Sequence, residues 1–168
     1  MGSSCGGDSA VPYLVKRINK SSCSMILIPH IDNWEIEKSL SRKKIPLLKS
    51  KFIFDIEKKD FEKGKIYLSE YQRIDSSFEY LSRIFGKNLI GVILSGAGND
   101  GAKGLKQIKL NGGKIFAQSK PNIFHYAFNP LYEFYISSMP EEAKKMNDLD
   151  YFGSLNYLAK HINKNLLI

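Results

Sequence analysis

"NLIGVILSGAGNDGAKGLKQI" (residues 88–108) runs from an unbroken apolar stretch through a glycine-rich turn into a helical pattern. "LIGVIL" is too short to cross a membrane and carries no polar alternation, so it predicts a strand buried on both faces. Ala102 to Leu110 predicts a helix, stopped by "NGG". A strand, a tight turn and a helix form the repeating unit of a parallel sheet.

The same unit recurs on either side. "SMILIP" (24–29), "KFIFDI" (51–56), "KIYLS" (65–69) and "GKIFAQ" (113–118) predict strands. Helices are predicted from Asp8 to Asn19, capped by Asp8 or Ser9 with Pro12 in the first turn, from Asp75 to Phe85, and from Tyr151 to Asn163. No repeat or low-complexity linker divides the chain. The expectation is one α/β domain over residues 1–168, doubly wound, with a mainly parallel sheet and helices on both faces. The Gly-rich "GSSCGG" (2–7) occupies a place that normally follows a first strand. That strand is missing or reduced to Met1, so it reads as truncated.

Composition narrows the partners. Twenty-five Lys and Arg against 17 Asp and Glu give a net charge of +8, which suits an acidic partner such as nucleic acid, a membrane surface or an acidic protein. The lysines are scattered and interleaved with acids, as in "EKKDFEKGK" (57–65), which reads as a solvated surface. No nucleic-acid partner is expected. Two cysteines, Cys5 and Cys23, give no disulfide framework and no metal-ligand spacing, and Cys23 reads as core. No stretch approaches a membrane span and no signal peptide opens the chain, so neither insertion nor export is expected. The expected setting is reducing and cytoplasmic.

In a doubly wound sheet, chemistry collects at the carboxyl ends of the strands. Gly96 to Gly101 matches G-x-G-x-x-G, but a dinucleotide site also needs a carboxylate about 20 positions on. The next strand ends at Gln118, followed by Ser119 and Lys120, so no nucleotide cofactor is expected. Asp100 then needs another task. In "GSSCGG", Ser4 or Cys5 stands at a helix N-terminus, where backbone N–H groups can meet an oxyanion. His30 directly follows the strand "SMILIP", and a serine needs such a base, oriented in turn by a carboxylate. Asp100 can supply the carboxylate. His125, in "FHYAF", is the rival base, although its apolar neighbours favour packing.

Together these residues resemble the catalytic domain of the CheB protein-glutamate methylesterase family. That family carries a G-x-S-x-G-G loop, here Gly2 to Gly7. It also has a strand ending in His, here "ILIPH" (26–30), and a motif like GVIL[TS]GMGxDGAxGL, here "GVILSGAGNDGAKGL" (91–105). "GGKIFAQ" (112–118) extends the likeness, which fades beyond Gln118. The resemblance implies Ser4 as nucleophile, His30 as base and Asp100 as orienting carboxylate. It implies support of the loops and oxyanion by Cys5, Gly6, Gly98 and Gly101, and no metal or organic cofactor. It further implies hydrolysis of glutamate methyl esters on the cytoplasmic helices of methyl-accepting chemotaxis receptors, with glutamine deamidation in some members.

Three departures stand out. Cys5 replaces the usual Thr or Ala, Ala97 replaces Met, and "YQRID" (71–75) is what remains of an RPSxD-like stretch. The receiver domain of most members has no counterpart in these 168 residues, so control by aspartyl phosphorylation is not expected of them. Two further readings are a catalytically degenerate receptor-binding module and a serine or thiol esterase with another substrate.

Overall fold

The computed structural model describes residues 1–30, 34–42, 45–50, 57–120 and 135–166. The predicted strand 51–56 and His125 lie outside the described residues. Among the described residues a seven-stranded sheet has the order β3-β4-β2-β1-β5-β6-β7. These strands are β1 (Gly2–Ser3), β2 (Met25–Pro29), β3 (Leu48–Ser50), β4 (Ile66–Ser69), β5 (Ile90–Ile93), β6 (Lys114–Gln118) and β7 (Tyr151–Gly153). Every pairing is parallel.

Among the described residues six helices cover it: α1 (Gly7–Arg17), α2 (Trp34–Arg42), α3 (Ile74–Phe85), α4 (Ala102–Leu110), α5 (Ser138–Met146) and α6 (Leu155–Asn165). Each buries an apolar stripe. Leu14 and Val15 of α1, Ile36 and Leu40 of α2, and Leu155 and Leu158 of α6 pack on one face with Leu27 and Leu94. Phe78 of α3, Leu105 of α4 and Met139 of α5 pack on the other with Ile28 and Ile93. Adjacent strand residues thus feed opposite cores, which is why the strands read as continuous apolar runs.

Two expectations are corrected. The C-terminal helix does not begin at Tyr151, because Tyr151 and Phe152 pair with Phe116 and Ala117 as an outer strand. Gly153 ends that strand, and Ser154, in extended backbone, precedes α6. Nor do Asp8 or Ser9 cap α1. Gly6 is the N-cap, in the left-handed region at φ 81°, and the helix starts earlier with no side-chain cap. β3, α2 and α5 were not anticipated.

β1 sits at the centre although it has two residues. Gly2 stands opposite Ile28 on one side and Ile93 on the other. Ile28 N–H donates to the Met1 carbonyl at 2.8 Å, so the ladder reaches the first residue. Below it, Met25 and Ile26 of β2 and Ile90 to Val92 of β5 have no β1 partner among the described residues. A cavity of about 810 Å³ opens there, lined from both faces of the sheet by residues including Ile18, Phe78 and Ile108. The opposite end of β1 is closed by loops. There the chain leaves β1 toward one face through α1 and leaves β5 toward the other through α4, the switch point of a doubly wound sheet.

Candidate active site

The loop after β1 is held from both sides. Ser4 N–H donates to the Ser95 carbonyl at 3.0 Å, and Gly7 N–H closes the turn on the Ser4 carbonyl at 2.8 Å. Ser95 Oγ donates to the Cys5 carbonyl at 2.8 Å, while Ser95 N–H donates to Gln118 Oε1 at 2.9 Å. The loop therefore rests on a buried serine just beyond β5 and a buried glutamine at the end of β6, and Ser4 itself is only 4% exposed. Ser4 Oγ lies 4.0 Å from Cys5 Sγ, its one side-chain partner among the described residues. The N–H groups of Cys5 and Gly6 have no protein acceptor among the described residues, so they are free to receive an oxyanion.

His30 follows β2 immediately. Its N–H donates to the Ser3 carbonyl at 2.7 Å, one step beyond the Ser3–Pro29 pair of the ladder. Ser4 and His30 thus extend neighbouring strands from the same edge, roughly one strand spacing of ~4.8 Å apart in backbone. The imidazole is 44% exposed, and its Nε2 lies 3.6 Å from Asp100 Oδ2. That separation falls outside hydrogen-bond distance, as catalytic contacts without substrate commonly do.

Asp100 is fixed from behind. Its Oδ2 accepts the Ile74 N–H and its Oδ1 the Asp75 N–H, both at 2.9 Å, so the carboxylate caps α3 from another loop. Asp75 answers. Its Oδ1 accepts the N–H groups of Gly101 at 2.8 Å and Gly104 at 2.7 Å, capping α4. Two helix N-termini, each with a partial positive charge, thereby meet two carboxylates. Gly101 makes the crossing feasible: its φ is +101°, and a Cβ would strike the Ile93 and Ile74 side chains.

The rest of the 94–101 loop is anchored by the start of α5. Gly96 N–H donates to the Ile136 carbonyl, Met139 N–H to the Gly96 carbonyl, and Gly98 N–H to Ser138 Oγ at 3.2 Å. Gly98, with φ +89°, faces open space. The structure therefore brings Ser4, His30 and Asp100 to one edge, with Cys5 and Gly6 beside the serine and Gly98 and Gly101 bracketing the aspartate. Cys23 is half-buried at the edge of the core and not enclosed by it. Sequence reasoning missed Asp75, Ser95 and Gln118. An Asp opening a helix reads as an ordinary first-turn acid, and only the partner helix reveals Asp75's reach. Among the described residues no group of three or more His, Cys, Asp or Glu side chains could hold a metal ion. No described helix is long and apolar enough to cross a membrane.

Comparison with known proteins agrees with this architecture. The family model "CheB methylesterase" matches residues 34–162, a range that includes Asp75 and Asp100 but neither Ser4 nor His30. A protein-glutamate methylesterase/protein-glutamine glutaminase of Methanococcus maripaludis is 39% identical over 77 residues, covering 46% of this chain and 18% of its own length. A protein-glutamate methylesterase/protein-glutamine glutaminase 3 of Shewanella oneidensis is 23% identical over 191 residues, covering 96% of this chain and 50% of its own. The chain thus spans half or less of these curated relatives. The crystal structure of the Thermotoga maritima CheB methylesterase catalytic domain superposes with a TM-score of 0.77 at 16% identity, covering 99% of this chain and 96% of that one. It has the same fold.

Proposed function

The chain belongs to the CheB methylesterase family, and from that premise we propose that residues 1–168 form one catalytic domain that hydrolyses glutamate methyl esters on chemotaxis receptors. Ser4 is the nucleophile, His30 the base and Asp100 the orienting carboxylate. The observation that carries this reading is the convergence of three loops: His30 N–H on the Ser3 carbonyl, and His30 Nε2 3.6 Å from Asp100.

With Nε2 turned to Asp100, that nitrogen carries the proton and Nδ1 is left to accept one. Ser4 Oγ attacks the ester carbonyl as its proton passes to His30. The oxyanion is met by the free N–H groups of Cys5 and Gly6, each donor worth about 3 kcal/mol by precedent. Collapse returns the proton to the methoxy oxygen, methanol leaves, and an acyl-serine remains. Water then enters through the same base, and Ser4 is regenerated beside a receptor carboxylate. A glutamine side chain would follow the same path with loss of ammonia. The net charge of +8 complements acidic receptor helices in the cytoplasm.

A catalytically silent receptor-binding module is favoured by a different observation: among the described residues the side-chain partner of Ser4 Oγ is the Cys5 thiol at 4.0 Å and not an imidazole. One assay separates the two. Methanol release from methylated receptor membranes is expected with the unaltered protein and not with Ser4→Ala. Absence of release, or equal release from both, overturns the proposal.

A further inference from the structure

We propose that Asp75 is a positioning residue for the reaction, setting the place of Asp100 without touching substrate. The inference rests on the triad reading above and deepens it.

Asp100 belongs to a short loop whose glycines, Gly98 and Gly101, both take left-handed φ values. Such a loop has many alternatives, and the anchors of Ser95 on the Cys5 carbonyl and of Gly98 on Ser138 Oγ all lie before Asp100. Asp75 supplies the selection. One oxygen of its carboxylate accepts the N–H groups of both Gly101 and Gly104, the residues that follow Asp100 into α4. Its own N–H, with that of Ile74, then holds the two oxygens of Asp100. Four hydrogen bonds, all 2.7–2.9 Å, thus join two loops and leave the Asp100 carboxylate a single orientation. That orientation is the one in which Oδ2 faces His30.

The arrangement separates position from charge. Both incoming N–H groups meet the same oxygen, Oδ1, so an amide with its oxygen in that place would serve nearly as well as a carboxylate. A side chain longer by one methylene would keep the charge and lose the place. A purely electrostatic role for Asp75 predicts the reverse order, and a merely structural role predicts loss of stability without a specific effect on reaction rate.

The test uses the full chain and a fluorophosphonate probe, which reports the reactivity of Ser4 independently of any receptor. Labelling kinetics give a maximal rate and a half-saturating concentration, with thermal unfolding showing that each variant is folded at the assay temperature. Asp75→Ala and Asp75→Glu are expected to lower the maximal rate about tenfold or more with the half-saturating concentration unchanged, since small misplacements of catalytic groups cost rate steeply. Asp75→Asn is expected to stay within about threefold of the unaltered protein, because its oxygen still accepts both N–H groups. If Asp75→Ala does not fold, Asp75→Glu against Asp75→Asn decides. Unaltered labelling in Asp75→Glu, or Asn as impaired as Glu, overturns the proposal. A parent protein that the probe does not label at Ser4 overturns the triad reading itself, which separates the two failures.

Discussion

Asp75 and Asp100 cap each other's helices. Each carboxylate accepts two backbone N–H groups from the start of the segment that carries the other. Side-chain caps usually satisfy the helix they introduce; here each works across the gap between α3 and α4. Among the described residues the most extensive helix–helix packing joins these same two helices, so the polar exchange closes an apolar seam.

Exchange of this kind should be non-additive. Asp75→Ala and Asp100→Ala are each expected to cost about 1–2 kcal/mol in urea unfolding, the range for a lost cap. The double variant should cost about 1 kcal/mol less than their sum, because each single change already loosens the other's partner. Strict additivity would show two independent caps.

The nucleophile loop gives a second expectation. Ser4→Ala should abolish ester hydrolysis, whereas Cys5→Ser should keep most of it, because Ser4 is the residue whose amide is pinned to Ser95. An inactive Cys5→Ser beside an active Ser4→Ala would transfer the chemistry to the thiol.

Gly96 presses against that loop. A Cβ there would lie 2.8 Å from Ser4 Cβ and 3.0 Å from Ser4 N, and would collide with Met139 Sδ. Met139 can yield, but the backbone of Ser4 cannot without moving the nucleophile. Gly96→Ala is expected to lose about 1–3 kcal/mol of stability and about 10²-fold in turnover, read by unfolding and by ester hydrolysis. Full turnover in a destabilised protein would show that the strain is relieved away from Ser4.

Acid stability should depend on Asp150. Burial pushes its carboxyl up, but the Ile115 N–H and the ammonium groups of Lys109 and Lys114 outweigh that, and its pKa is held below the ordinary value. A group depressed in the folded state stabilises above its unfolded pKa of about 3.9 and loses that contribution as pH falls through the folded value. Asp150→Asn is therefore expected to be less stable by about 1–2 kcal/mol near pH 7 and to converge with the parent as pH falls through the depressed folded value. A constant difference from pH 7 to pH 2 would contradict the linkage.

The legible parts of the fold were those written as apolar runs with loop signals at their ends. β2, β4, β5 and β6 and helices α1, α3 and α4 all carry such marks. β3 and β7 have three residues each, and their identity as strands comes from neighbours: Leu48 opposite Tyr67, Tyr151 opposite Phe116. Periodicity cannot register so short a segment. At the site, Ser4, His30 and Asp100 stood at strand ends, so topology alone could gather them. Asp75, Ser95 and Gln118 act through backbone groups far along the chain, and no local pattern encodes a partner 23 or 26 residues away.

The two-residue strand at the middle of the sheet has a consequence for the order of assembly. Gly2 must find Ile28 and Ile93, so the centre of the molecule is stitched by contacts nearly a hundred positions apart. Distant pairings form late because loop closure must precede them. During synthesis, residues 1–30 emerge long before β5 exists to receive them, and the α3–α4 layer can pack before β1 is enclosed. Ser4 is joined to Ser95 by the same closure. Ester reactivity should consequently appear in the final phase of refolding, after most helical signal has returned, so that a chain still searching for its native state carries no working nucleophile.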